Sequence, residues 1–387
     1  MRVTFLTGSL SRQAGGFFPI LQRLSYELME RGCDVTALGI EDSDFAADRA
    51  GWRCRETRVF KTVGPARLAY SRTMGDALLQ HDADLIHLHG LWMGISALNH
   101  RWHRKTRRPY IISAHGMLNR WAVGHQHWKK RLAGMLYENR NLRDAGCLHA
   151  LSVQELEDYR SYGLKNPVAV IPNGVDLPDE SGCDRDAPWN DFAPEGSRIL
   201  LFLGRLHPKK GLIELLEGWK LSGRARQSWR LVIAGWDDGG HQIEMEERIR
   251  ELHLEKEVKI VGPQFGEDKT ACLAKADAFV LTSHSEGLPV AVLEAWGHRL
   301  PAIITPACNL LAGFERRAAI RVEPQETSIA GGLEMLFSMT DEGRAAMGGC
   351  GRRLVEDCFT WLSITDQMMA TYRWVLGIGE KPECVSL

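Results

Sequence analysis

The sequence predicts two doubly wound α/β domains, each built on a parallel sheet. Three observations lead there. Short apolar runs alternate with amphipathic stretches, which is the order of strand–helix–strand units. The alternation stops in a polar stretch at 178–196 and then starts again. A chain of 387 residues is also too long for one ordinary core.

The elements follow in order. Val3–Thr7 reads as a buried strand, followed by the polar loop GSLSRQAGG. Ile20, Leu21, Leu24 and Leu28 have helical spacing, Gly32 closes that helix, and Asp34–Leu38 is the next strand. Asp84–Leu88, Tyr110–Ala114 and Ala169–Ile171 are further strands, the last running into the turn PNGVD. After the polar stretch, Ile199–Leu203 is a strand, GRLHPKKG a loop, and 212–220 a helix. Leu231–Ala234, Val258–Val261, Ala278–Leu281 and Ala302–Ile304 complete the second series.

Composition narrows the class. The chain holds no apolar run approaching the roughly 18 residues of a spanning helix. The start, MRVTFLTGSL, reads as a core strand rather than a signal peptide. Nine cysteines without a C-x-x-C pair read as reduced thiols of a cytoplasmic protein and give little support to zinc. The formal charge of −1 conceals an asymmetry: residues 1–150 hold 22 basic against 13 acidic residues, and 101–150 alone hold 11 against 2. A basic first half and an acidic second half suit different partners, or simply well-solvated helix faces.

Ligands of doubly wound sheets bind beyond the carboxyl ends of strands. Gly15, Gly16, His115, Arg205, Lys210 and Glu286 all fall there. In SEGLPVAVLEAW (285–296), Pro289 suits a first helical position, so the amides of Gly287 and Leu288 and the first turn would offer an anion site. Glu286 before that helix and Glu294 within it would reach different parts of one elongated ligand, as acceptors for hydroxyls. A helix cap and a solvated helix residue are the plain alternatives. In GRLHPKKG (204–211), Arg205 and Lys210 could converge on a diphosphate, or form an ordinary basic loop. His115 in SAHGM could bond a substrate hydroxyl, shuttle a proton, or be structural. Gly16 permits close backbone approach, yet neither a dinucleotide fingerprint nor a P-loop is present. His87 and His89 in HLHG share a strand face without a third metal ligand, and the triplets Asp42/Asp44 and Asp82/Asp84 read as incidental. RWHRKTRRPY (101–110) and WAVGHQHWKKRL (121–132) mix basic residues with tryptophan, which suits an anionic membrane surface better than nucleic acid.

Together these residues resemble family 4 of the retaining glycosyltransferases, which have the GT-B fold of two Rossmann-like domains facing across a cleft. The resemblance rests on Glu286-x7-Glu294, GRL-x3-KG at 204–211, Gly15–Gly16, DLIHLHG at 84–90, SAHG at 113–116 and IPNGVD at 171–176. It implies an acceptor-binding domain over 1–177 and a donor-binding domain over 178–360, with a C-terminal helix from about 361 crossing back to the first. It implies that Glu286 contacts donor-sugar hydroxyls, Glu294 the ribose, and Gly287 and Leu288 the sugar and phosphates. Arg205 and Lys210 would hold the diphosphate in place of a metal. Gly16 would approach it, His115 would bind the transferring sugar, and Gly235, Val261 and Gly262 would flank the base. The implied reaction moves a sugar from a UDP- or GDP-linked donor to a glycan acceptor; the basic, Trp-bearing first domain suggests that this acceptor is polyprenyl-diphosphate-linked, at the inner face of the cell membrane. HGMLNRWA resembles a subset tied to bacterial surface polysaccharides, although Gly116 stands where many members carry aspartate. A sugar-nucleotide epimerase of the same fold, a non-catalytic nucleotide-sugar-binding subunit and a Rossmann dehydrogenase are the rivals.

Overall fold

The structure, a computed structural model, describes residues 1–65, 68–119, 127–178 and 185–387. Residues 121–126 of the Trp-bearing basic stretch and 179–184 of the polar linker lie outside the described residues. The chain divides into two compact units, Met1–Gly174 with Trp361–Leu387, and Val175–Thr360.

The first unit holds β1 (Arg2–Thr7), β2 (Asp34–Ile40), β3 (Glu56–Phe60), β4 (Leu85–His89), β5 (Tyr110–Ser113), β6 (Cys147–Ala150) and β7 (Val168–Val170). These pair in the order β7-β6-β5-β4-β1-β2-β3, all parallel, and the short strand Val385–Ser386 adds antiparallel to β7. Side chains of a strand alternate between faces, and here both faces are apolar. Val3, Phe5, Val35, Leu85 and Ile111 pack in one cluster, while Leu6, Leu38, Ile86, Leu88 and Ile112 pack in another. This explains why the strands read as continuous apolar runs rather than alternating ones. Helix α1 (Phe18–Glu30) buries Leu21, Leu24 and Leu28 on one side of the sheet. The C-terminal helix Trp361–Val375 buries Ile364, Met368 and Tyr372 in the same cluster. Trp361 lies over Gly174, where a Cβ would come within 2.5 Å of the indole.

The second unit holds β8 (Arg198–Leu203), β9 (Trp229–Ala234), β10 (Val258–Gly262), β11 (Ala278–Leu281), β12 (Ala302–Ile304) and β13 (Ala319–Arg321). Their order is β10-β9-β8-β11-β12-β13, all parallel. The order reverses between β8 and β11. That switch point is where the loops after two adjacent strands diverge and leave a crevice, and it receives the two motifs GRLHPKKG and SEGLP.

Four strands were not legible: β3, β6, β13 and Val385–Ser386. β3 is an edge strand, ETRVF, with two charged, exposed residues among its five and no buried residue. The others run for only two to four residues and, unlike the equally short Ala302–Ile304, each includes a polar residue that interrupts the apolar run. One boundary also differs. The helix after SEGLP runs Val290–Gly297, so Pro289 is its cap rather than its first residue. The reason is its extended ψ of 103°, from which its carbonyl still accepts the Val292 N–H.

Candidate functional site

In the second unit the loop after β8 is stitched to the loop after β11. Thr282 Oγ1 donates to the Gly211 carbonyl (2.9 Å), and the His284 N–H donates to the Lys209 carbonyl (2.9 Å). Gly211 has φ 65°, and a Cβ there would sit 2.3 Å from the Thr282 carbonyl oxygen. Only glycine therefore lets the two loops meet. The result is the pair Lys210 Nζ–Glu286 Oε1 at 2.6 Å, each side chain only 13% exposed. Ser283 Oγ donates to the same Glu286 oxygen at 2.5 Å. Two opposite charges so close and so shielded are strongly coupled, and removing either leaves the other poorly compensated.

Arg205 and Glu294 keep other company. Arg205 Nη1 binds Asp238 Oδ2 at 2.7 Å, both half-exposed. Glu294, in the second turn of its helix, accepts from Lys269 Nζ at 2.6 Å. Burial lowers the pKa of neighbouring His298 to about 4, with Arg352 and Lys269 adding to the effect. Gly235 packs so tightly on Gly204 that a Cβ would lie 1.8 Å from its carbonyl oxygen. Its N–H donates to the Gly262 carbonyl, which brings together the ends of β9 and β10, where Val261 also lies. Thus of the residues singled out in the sequence, Lys210 and Glu286 are in contact, while Arg205 and Glu294 have separate partners.

In the first unit Gly16 lies in the short turn Arg12–Phe17 after β1 with open space around it. His115 follows β5 by two residues and, with Gly116, takes left-handed φ values of 51° and 75°. Its ring stacks on Phe17 (4.7 Å) and its Nε2 meets His89 Nδ1 at 3.2 Å. Glu155 fixes the backbone here: one oxygen accepts the Gly116 N–H and the other the Leu151 N–H, each at 2.7 Å. Burial, then His149, holds the His115 pKa far below the ordinary value. At neutral pH it is therefore an uncharged hydrogen-bonding group and a weak base, which favours hydroxyl recognition over the proton shuttle the sequence allowed.

His87 serves the fold instead. His149 Nε2 faces the Ile171 carbonyl at 2.7 Å, so that nitrogen carries the proton. Ser113 then donates to His149 Nδ1 (2.6 Å), His87 Nε2–H donates to Ser113 (2.7 Å), and Tyr372 donates to His87 Nδ1 (2.7 Å). This one-way chain ties the C-terminal helix to β4, β5 and β6. The aspartate triplets are structural as well: Asp82 and Asp84 pair with Arg2, and Asp42 accepts from Ser9 and Ser11. Among the described residues no group of three His, Cys, Asp or Glu side chains is placed to hold a metal ion.

Two sequence profiles match the chain, one for a glycosyl transferase 4-like domain over residues 15–174 and one for glycosyl transferases group 1 over 185–348. The chain is a family 4 glycosyltransferase. The GDP-mannose:cellobiosyl-diphosphopolyprenol alpha-mannosyltransferase of Xanthomonas oryzae pv. oryzae is 26% identical over 83% of this chain and 82% of its own. Its counterpart in Xanthomonas campestris is 27% identical over 58% of this chain, and the match spans only 56% of that relative's length. Anabaena HepE in complex with UDP matches with a TM-score of 0.78 at 19% identity, over 97% of this chain and 100% of that one. That likeness shows the GT-B fold of two parallel α/β sheets. Family 4 is a retaining family that draws on nucleotide-sugar donors.

Several partners of the site residues in this glycosyltransferase carry no clear sequence signal: the polar Asp238, Lys269 and Asn309 in the second unit, and Glu155 and the stacking Phe17 in the first. Only Glu155 carries a partial one. Ser152-x-x-Glu155 has the capping-box spacing, and Ser152 Oγ does accept the Glu155 N–H at 3.3 Å. The carboxylate, however, serves the neighbouring loop instead of the cap.

Proposed function

We propose that this protein transfers a hexose, with retention, from a UDP- or GDP-linked donor to a polyprenyl-diphosphate-linked glycan in surface-polysaccharide synthesis. The observation that carries the reading is the shielded Lys210–Glu286 pair at the β8/β11 switch point. A donor phosphate would share Lys210, and Glu286 would then turn its free lone pairs to sugar hydroxyls. Arg205 would exchange Asp238 for the diphosphate. Lys210, Arg205 and the helix end at Val290 would stabilise charge building on the leaving phosphate. Glu294 keeps one oxygen free of Lys269 for the ribose, and the backbone at Gly235, Val261 and Gly262 would flank the base. Gly287 and Leu288 amides would meet phosphate and sugar. For Gly16 and His115, on the first unit, the donor contacts come from the family resemblance. No metal enters this scheme, since Lys210 and Arg205 supply the positive charge. The donor in the names of the Xanthomonas relatives makes GDP-mannose the first compound to try.

The membrane side of the proposal rests on helix His127–Ala133 and the turn after it. Trp128, Leu132, Met135 and Leu136 are all exposed, at a spacing that puts them on one side, and Lys129 and Arg131 flank them. Apolar and basic groups side by side suit an anionic lipid surface. The other basic stretch contributes less than its sequence suggested, because Trp102 is buried in the core. Among the described residues no helix is long and apolar enough to cross a membrane.

The deciding experiment is a calorimetric and thermal-shift panel of UDP, GDP, ADP and their sugar conjugates, with EDTA present, on wild type and Glu294→Ala. One nucleotide should stabilise wild type and lose most of that effect in the variant. Binding that ignores Glu294 or requires a divalent metal would overturn the reading. Turnover of the donor without any acceptor would point to the epimerase.

A further inference from the structure

The loop after β11 is held from one side by the segment after β12. Thr305 Oγ1 donates to the Ser283 carbonyl (2.6 Å), and the Glu286 N–H donates to the Ala307 carbonyl (2.9 Å). The carboxamide of Asn309 then donates to two successive carbonyls, those of Glu286 (2.8 Å) and Gly287 (2.9 Å). In a trans peptide the C=O and the following N–H point in opposite directions. Because both carbonyls turn toward Asn309, the N–H groups of Gly287 and Leu288 turn away from it. Among the described residues neither N–H meets an acceptor. They stand just ahead of helix Val290–Gly297, in the loop whose Glu286 holds Lys210. Two adjacent unpaired amides, in the loop whose carboxylate holds an ammonium group, can receive an anionic oxygen.

Asn309 can do this because its own backbone is fixed. It ends the tight turn Pro306–Cys308 in the left-handed conformation, φ 58° and ψ 30°. Asparagine is one of the few residues that adopts that conformation readily. Cys308 beside it is buried, which anchors the turn.

We infer that Asn309 is a positioning residue of the donor site: its carboxamide orients the Gly287 and Leu288 amides toward the donor's second phosphate. Asn309 itself does not touch the donor. The inference rests on the donor reading given above and adds what makes those amides available. Its specific consequence is that Asn309 governs the gain in affinity from nucleoside monophosphate to diphosphate, and leaves the nucleoside end to Glu294.

The test compares wild type with two variants by calorimetry against GMP, GDP, UMP and UDP. Asn309→Asp keeps size and turn but sets a carboxylate against two carbonyls. Asn309→Gly keeps the left-handed turn and removes the donor altogether. The expected result is a tenfold or larger shrinkage of the diphosphate-over-monophosphate gain in both variants, with monophosphate affinity changed less than about twofold and thermal stability nearly kept. If both variants retain the wild-type gain, the inference is wrong while the donor reading stands. Equal weakening of monophosphate and diphosphate, together with lost thermal stability, marks a merely structural residue and also overturns it. If wild type binds none of the four nucleotides, the donor reading fails first and this inference with it.

Discussion

The central polar cluster is a neutral hydrogen-bonded chain in the first unit and a set of ion pairs in the second. In the first, Tyr372, His87, Ser113 and His149 pass hydrogen bonds in one direction to a backbone carbonyl, sealed from water. In the second, Lys210–Glu286, Arg205–Asp238 and Lys269–Glu294 are ion pairs at or near the surface of the crevice. A sealed neutral chain is complete as it stands, and any new proton disrupts it. The half-exposed Arg205–Asp238 pair can trade one partner for a ligand oxygen at small net cost, whereas the shielded Lys210–Glu286 pair can do so only for a ligand that compensates both charges. The contrast shows how two units of one architecture can differ in the polar groups they carry.

The sharpest way to break that contrast is at Lys210. Lys210→Ala should slow donor consumption on the order of 100- to 1,000-fold, the usual effect of losing one charge-stabilising donor. Glu286→Gln should have a similar effect, while both retain binding of the bare nucleotide through Glu294. Steady-state rates of sugar-nucleotide consumption would show it, and a loss below about tenfold would remove Lys210 from the chemistry.

The next effect is acid sensitivity of the first unit. Burial holds His87 and His89 well below the usual histidine pKa, and His149 at about 4. Depressed histidine values give stability that is full above about pH 6.5 and lost as the pH falls, by up to about 1.4 kcal/mol per group per pH unit. Glu138 works the other way. Burial raises its pKa to about 7, so it favours the fold as the pH drops from 7 toward its unfolded value near 4.3. With His115, also far below the ordinary value, four depressed histidines outnumber the raised carboxyls Glu138 and Glu155, so the first unit should lose stability between pH 6.5 and 5.5. Hydrogen exchange at the two pH values should report faster opening in β4, β5 and β6 than in β8, β9 and β11. Equal behaviour of both units would refute the neutral-chain account.

Smaller effects separate the charged pairs from one another. Glu294→Ala should weaken nucleotide binding roughly tenfold, the scale of a charged-group hydrogen bond, and calorimetry would measure it. Asp238→Asn should do the reverse on a minor scale. The pair is half-exposed, so releasing Arg205 is worth about 0–1 kcal/mol. Nucleoside-diphosphate affinity should rise no more than about fivefold, and a fall instead would mean that Asp238 positions Arg205 rather than competing for it.

Much of this was legible because it depended on local periodicity. Both faces of each sheet are buried, so the central strands appear as apolar runs, and Gly211 and Pro289 mark the turns beside them. The motif residues Arg205, Lys210 and Glu286 were legible as candidates since each follows such a strand, and Glu294 by its spacing from Glu286. Their pairing was not. Asp238 is 33 residues from Arg205, Lys269 is 25 from Glu294, and Asn309 is 23 from Glu286. Nothing in the sequence near those partners distinguishes them from other surface polar residues.

The amino-acid sequence by itself determined the two strand–helix series, the family and the positions at which ligand-binding loops leave the strands. Each of these follows from short-range rules: side-chain period, glycine and proline geometry, and motif spacing. The tertiary structure alone decided that His87 is a link in a sealed chain, that His115 stays neutral, and that Asn309 faces the carbonyls of the Glu286 loop. Hydrogen bonds and desolvation act through space, and parallel pairing of strands far apart in sequence chooses which groups become neighbours.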